Sequence, residues 1–112
     1  MAHVQSLTRG DVVWVNLDPT VGAEIRKRRP CVVVSLSVLN EKRLTVVVVP
    51  LSTASTPRPP LVVAVPSAGA GSNARIDQIR AVDKSRILDE VGKLNRVDME
   101  HVEQGLRTVL GL

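Results

Sequence analysis

Four consecutive valines, Val46 to Val49, closed by Pro50, limit what this chain can become. β-Branched side chains are stiff at χ1 and pack well on a pleated surface. Leu44–Val49 therefore reads as a strand, and so does Cys31–Ser35. Both runs are almost continuously apolar, as expected of strands covered on two faces. Asp11–Leu17 reads as an earlier strand, ended by Asp18-Pro19. Leu61–Val65 and Ile87–Val91 add two more. Residues 74–82 alternate polar and apolar side chains, which predicts a half-exposed strand with Arg75, Asp77 and Ala81 on one face. Ile76, Gln78, Arg80 and Val82 then share the other.

The connections are equally legible. Residues 18–29 form a long loop containing Gly22, and the polar segment 36–43 reads as a hairpin connection. Residues 51–60 hold three prolines and four hydroxyl side chains, so they form an irregular loop. Residues 67–73 read as a flexible turn and 83–86 as a short helical turn. The clearest helix is C-terminal. Asn95 can cap it, and Asp98 and Glu100 sit in the favourable first turn. Met99, Val102, Leu106, Val109 and Leu110 form one stripe at helical spacing. Gly105 within it costs about 1 kcal/mol relative to Ala, a cost that close packing would explain. The fold expected is mainly β with a C-terminal α-helix: a small SH3-like barrel of five to six mostly antiparallel strands, packed by the helix. At 112 residues it is one domain, 1–112.

Several function classes drop out. The longest apolar run is far short of the roughly 20 residues of a membrane helix, and MAHVQSLTRG lacks the apolar core of a signal peptide. The single cysteine, Cys31, cannot form an internal disulfide and reads as a small buried thiol. These features point to the cytoplasm. His3, in the N-terminal tail, His101 and Cys31 have no ligand spacing, so no metal site is expected. Phosphate-binding glycine loops and nucleophile elbows are missing, and no cofactor is implied. There is no Phe or Tyr; the lone Trp14, in the first strand, reads as core rather than as a platform for a base.

Charge is where the chain is unusual. Its net charge is +4. Residues 1–60 carry eight Lys/Arg against four Asp/Glu, whereas 61–112 carry seven of each, so the excess is local. Arg26, Lys27, Arg28 and Arg29 supply it, directly before Pro30 and the Cys31 strand. Such a run is a solvated loop or an anion site; its attachment to a strand favours the anion. Three places can carry chemistry: Glu24 to Arg29, Ser52-Thr53 after the third strand, and Asp77-Gln78 with Arg80. Antiparallel pairing of the second and third strands brings Arg29 near Thr53, a cation and a hydroxyl able to hold a phosphate. Taken singly, Arg29 could cap strands, Thr53 could close a turn, and Gln78 could satisfy backbone groups.

The stretches RGDVVWVNLDPTVGAEIRKRRPCVVVS, VPLSTAS and RIDQIRAVDKSRI, with a helix ending in VLGL, resemble the MazF/PemK family of toxin–antitoxin ribonucleases. The resemblance runs from Arg9 to Leu112. It implies a homodimer that cuts single-stranded RNA at short motifs without a metal and is silenced by an antitoxin with an acidic disordered segment. By motif, it assigns catalysis to Arg29, Thr53 and Glu24, and RNA binding to Arg26, Lys27, Arg28, Ser52, Asp77, Gln78 and Arg80. In the implied chemistry the 2′-hydroxyl attacks the adjacent phosphate, leaving 2′,3′-cyclic phosphate and 5′-hydroxyl ends. Arg29 would stabilise the developing charge. Arginine is a poor base, and Glu24 is the nearest candidate in sequence; balancing the cations is its other possible role. A gyrase-poisoning toxin of the CcdB kind is the alternative. Its C-terminal tryptophan-containing tip is absent here, where the chain ends Val109-Leu110-Gly111-Leu112. A binding module without catalysis is the third class.

Overall fold

The computed structural model describes residues 6–112, so His3 lies outside the described residues. Among the described residues seven strands form one antiparallel sheet: β1 Asp11–Asn16, β2 Arg28–Val33, β3 Thr45–Ser52, β4 Val62–Ala64, β5 Asn73–Arg75, β6 Arg80–Asp83 and β7 Ile87–Lys93. Helix α1 spans Ser37–Lys42 and helix α2 spans Arg96–Leu110. The strand order is β4-β5-β3-β2-β1-β7, with β6 paired to β3 beside β5.

The valine runs are buried on both faces of the sheet, as their composition requires. Val12, Val32, Val49 and Leu51 face a core shared with Val102 of α2, with Met99 and Leu106 packed against it. Their neighbours Val13, Val15, Cys31, Val33, Val46 and Val48 face a second core with Val82 and Ile87. Burying each such side chain stabilises the fold by about 1.5–3 kcal/mol.

The mainly-β architecture with its C-terminal helix stands as expected, but the sheet is open rather than a closed barrel. Closure needs the two outermost strands to pair. At β4 the outer edge is already used: Arg58 and Val62 exchange backbone hydrogen bonds of 2.7 and 2.9 Å. The predicted strand 74–82 is two strands. β6 and β5 lie end to end along one edge of β3, opposite Thr45–Val48 and Leu51–Ser52 respectively. Between them Ile76–Gln78 makes a 3₁₀ turn that sends Ile76 into the core. The segment 36–43, read as a hairpin connection, contains α1. Its reason is tertiary: buried Asn40 donates through Nδ2 to the Leu7 and Ser35 carbonyls at 3.0 and 3.2 Å. The second strand begins at Arg28 rather than Cys31, and the last runs to Lys93.

The cap of α2 is as read. Asn95 Oδ1 accepts from the Asp98 N–H at 2.8 Å. Asp98 itself is buried and accepts from the Ser67 N–H and hydroxyl at 2.7 and 2.5 Å, which ties the helix start to the turn after β4. Gly111 closes the helix in the left-handed region at φ +71°. Among the described residues no helix is long and apolar enough to cross a membrane.

Gly105 faces the inside of this packing. A Cβ there would lie 3.1 Å from Ile76 Cγ1 and 3.2 Å from the Pro60 carbonyl oxygen. Gly105→Ala gains about 1 kcal/mol of helix propensity but overpacks a buried contact, which costs about 1–3 kcal/mol. The expected outcome is a net loss of stability of roughly 1 kcal/mol, read as a lower urea midpoint at unchanged m-value.

Candidate nucleic-acid interface

Pairing of β2 with β3 sets the site. Cys31 stands opposite Pro50, Val32 opposite Val49 and Val33 opposite Val48. Continued by two residues, that register brings Arg29 level with Ser52. On its other edge β2 pairs with β1, which puts Pro30 opposite Trp14 and Arg29 opposite Val15. The result is a cleft of about 230 Å³ lined by Trp14, Arg28, Arg29, Ser52, Thr53 and Ser72, among others. No carboxylate lines it. Arg29 is half-buried, and its Nε donates to the Arg26 carbonyl at 3.2 Å. Among the described residues neither Arg28 nor Arg29 forms an ion pair. Ser52 is buried and accepts from the Ala54 N–H at 3.1 Å, whereas Thr53 is exposed. Two guanidiniums and three hydroxyls lining one cleft form a donor set suited to an oxyanion with several acceptor oxygens.

Trp14 differs from its sequence reading. It is 41% exposed and flanks the cleft. The sequence carried part of the signal: period-2 alternation turns Trp14 away from the fully buried Val13, Val15 and Leu17, though Val12 on its own face is buried as well. Arg86 and Ser72 carried no such signal, since only the folded chain brings them to the site.

The loop between β1 and β2 is pinned from beneath by the second half of the chain. The Ile25 N–H donates to Gln78 Oε1 at 3.2 Å. Arg80 Nη1 donates to the Leu17 carbonyl at 3.1 Å, and Arg86 Nη1 to the Asn16 carbonyl at 3.2 Å and to that of Asp18. Within the loop, Lys27 N–H donates to Asp18 Oδ1 at 3.1 Å. Gln78 and Arg80 thus hold the loop rather than line the cleft, while Asp77 is exposed beside them. Arg26, Lys27 and Arg28 are exposed on the loop and its exit. Glu24 is not among the cleft residues: its Oε1 accepts from the Val21 N–H at 2.5 Å and closes a turn around Gly22, whose φ is +58°.

Cys31 lies directly behind Arg29, with its thiol 3.7 Å from the Arg29 carbonyl oxygen. Burial pushes the thiol up from 9.0 to about 12, partly offset by the Arg80 charge. Among the described residues, no three His, Cys, Asp or Glu side chains come together to hold a metal ion.

Comparison with known proteins gives a consistent picture. Residues 8–110 match the family described as PemK-like, MazF-like toxin of type II toxin–antitoxin system. The chain is 30% identical over 112 residues to endoribonuclease MazF6 of Mycobacterium tuberculosis, covering 95% of this chain and 98% of that one. Its fold matches MazF from Deinococcus radiodurans with a TM-score of 0.86 at 25% identity, over 96% of this chain and 98% of that one. It also matches a mycobacterial endoribonuclease solved in complex with its cognate antitoxin, with a TM-score of 0.78 at 26% identity and 97% of each chain covered.

Two outcomes follow from this geometry. Gln78→Ala removes the acceptor of the Ile25 amide, so hydrogen exchange across residues 21–28 should accelerate several-fold while global stability falls by about 1 kcal/mol. Cys31 should resist a thiol reagent at pH 8 in the native protein, because its thiolate is scarce. Since the folded thiol titrates above the unfolded one, stability is intact below pH 9 and falls as pH rises toward 12; a urea-midpoint series across that range measures it.

Proposed function

This chain belongs to the PemK-like, MazF-like toxins of type II toxin–antitoxin systems, and from that premise we propose that its cleft cuts single-stranded RNA as a toxin endoribonuclease. One observation carries the reading: Arg29 and Thr53 share a cleft with Arg28 and Ser52, and no carboxylate lines it. A phosphodiester seated there meets two guanidiniums and three hydroxyls, while the exposed Arg26 and Lys27 draw the rest of the strand to the loop.

The reaction uses the nucleophile that RNA carries. The 2′-oxygen loses its proton and bonds to the adjacent phosphorus, the bond to the 5′-oxygen breaks, and that oxygen gains a proton. The ends are a 2′,3′-cyclic phosphate and a 5′-hydroxyl. Arg29 stabilises the charge growing on the non-bridging oxygens, and Thr53 donates a hydrogen bond that orients them. Ser52 and Arg28 support that phosphate from the sides. Trp14, exposed at the rim, offers a face on which one base can stack. Gln78 and Arg80 act by holding the loop at its height above the cleft, with Asp77 at the groove edge. Glu24, bonded to the Val21 amide, shapes the loop in this reading and is not assigned the proton. No metal ion or cofactor takes part.

The silent state follows from the same charge. An acidic, disordered antitoxin segment that folds against the 18–29 loop covers Arg29 and competes with RNA. The active form is a homodimer in the cytoplasm, where messenger RNA is available. Leu110 and Leu112, exposed at the end of α2 beside Ile79 and Val47, support the pairing of two copies.

The test is cleavage of a long single-stranded RNA in EDTA, with the fragment ends mapped. Discrete cuts bearing cyclic-phosphate and 5′-hydroxyl ends are expected. Arg29→Ala should lower kcat by about 10²–10³, and Thr53→Ala by a smaller factor. Intact RNA with the folded, antitoxin-free protein would reject catalysis in favour of a toxin that acts by binding.

A further inference from the structure

The proline-rich loop after β3 and strand β5 enclose a second polar pocket, separate from the Arg29 cleft. It has a volume of about 420 Å³ and is lined by Ser55, Thr56, Pro57, Arg58, Val62 and Arg75. Hydrogen bonds hold it in shape. Arg58 and Val62 are locked together through their backbones. Asn73 Nδ2 donates to the Ser55 carbonyl at 2.6 Å, and Arg75 Nη1 donates to Ser55 Oγ at 3.1 Å. The loop is therefore tied down at its middle and at its return into β4.

The charge of this pocket is not answered from within the chain. Two guanidiniums and two hydroxyls line it, and no carboxylate does. Among the described residues neither Arg58 nor Arg75 forms an ion pair. Arg75 Nε is buried and has no hydrogen-bond partner among them. A desolvated cationic donor without an acceptor is unfavourable. Arg75 Nε is itself out of reach of the pocket, but the outer guanidinium nitrogens of Arg58 and Arg75 have no carboxylate to answer them, and a phosphate supplies acceptor oxygens that match such nitrogens while the hydroxyls add donors.

Position then selects the source of the phosphate. Ser52, which lines the Arg29 cleft, pairs with Asn73 across β3 and β5. Directly opposed residues share a face of a sheet, and Arg75 lies two positions beyond Asn73 on that same face. The intervening Ala74 is in the core. Two residues of strand span about 7 Å, a distance within reach of one extended nucleotide step. Asn73, between Ser52 and Arg75 along this face, also holds the loop through its bond to the Ser55 carbonyl.

We infer that the Arg58–Arg75 pocket holds a neighbouring phosphate of the same RNA strand that enters the Arg29 cleft. The inference rests on the RNA-cutting reading and adds a second anchor to it. Held at two phosphates, the strand has its register fixed before any base is read, which positions the scissile bond over Arg29.

The test uses 2′-O-methyl oligoribonucleotides, which keep the phosphates and lack the nucleophile. A short one fills only the Arg29 cleft; a longer one reaches β5. Binding is measured by fluorescence anisotropy over a salt series for the wild type, Arg58→Ala and Arg75→Lys. Circular dichroism checks that each variant is folded, and Arg58→Ala leaves the backbone bridge to Val62 available. Cleavage of unmodified RNA is scored separately. The expected result is that the longer chain's advantage in affinity drops about tenfold in Arg58→Ala, the order for a hydrogen bond between charged groups. Its slope of log affinity against log salt should fall by about 0.7, one phosphate's worth for a single strand. An unchanged length advantage in both variants overturns the inference even if cleavage is robust. Loss of the advantage with no cleavage by the wild type upholds the pocket and rejects the catalytic reading. Saturable binding of inorganic phosphate that Arg58→Ala abolishes, without a length effect, would assign the pocket to a free anion instead. Capture of an Asp/Glu-rich peptide that Arg58→Ala abolishes, with RNA affinity unaltered, would make it a protein contact.

Discussion

Everything at the cleft depends on the register between β2 and β3. With Cys31 opposite Pro50, Arg29 comes level with Ser52, and Thr53 follows at the strand end. A slip of one residue would turn every side chain to the opposite face. Here the uniform valines do not oppose that slip, but the ends of the run do: moving β3 by one residue would carry Ser52 into the place of Leu51 in the core under α2. Val32 and Val49 belong to the core under α2, while Cys31, Val33 and Val48 belong to the other core. The ends of the valine run are thus what aims the arginine.

The second constraint is electrostatic. Four adjacent cations repel one another, so the internal bonds of the β1–β2 loop, such as that from the Lys27 N–H to Asp18, need support from outside. Gln78, Arg80 and Arg86 supply it by bonding its backbone at Ile25, Leu17 and Asn16. Two of those three anchors are themselves cations. They satisfy carbonyl oxygens at the loop base and leave the positive potential above uncancelled. The cleft therefore has a rigid floor and an unpaired charge, the combination that electrostatic catalysis on a phosphate requires. The same face continues through Asn73 to Arg75, so the basic surface is longer than the cationic run by itself indicates.

Much of this is legible in the sequence, and the departures have identifiable causes. The strands, the Asn95 cap, the helical stripe and the proximity of Arg29 to Thr53 came from local pattern and simple hairpin geometry. Trp14 was misplaced because residue type was weighed above the alternation of its own strand. The helix at Ser37–Lys42 was missed because six residues of mixed polarity have no periodic signature; Asn40 stabilises it through bonds to Leu7 and Ser35. The barrel was expected to close, and it does not, because Arg58 occupies the backbone edge of Val62. The helix and the open edge depend on contacts that local pattern does not show, whereas the reading of Trp14 turned on its own strand.

By itself, the sequence determined which segments are strands, where the terminal helix starts, and that one loop carries an uncompensated positive charge, since these follow from side-chain shape, periodicity and formal charge. Tertiary structure alone decided what that charge confronts. It split 74–82 into two strands, turned Gln78 and Arg80 from groove residues into loop anchors, drew Glu24 onto the Val21 amide and away from the cleft, and set Arg75 beside Arg58. Those outcomes are choices among hydrogen-bond partners, and only the packed chain, by bringing residues distant in sequence within bonding reach, selects one of them.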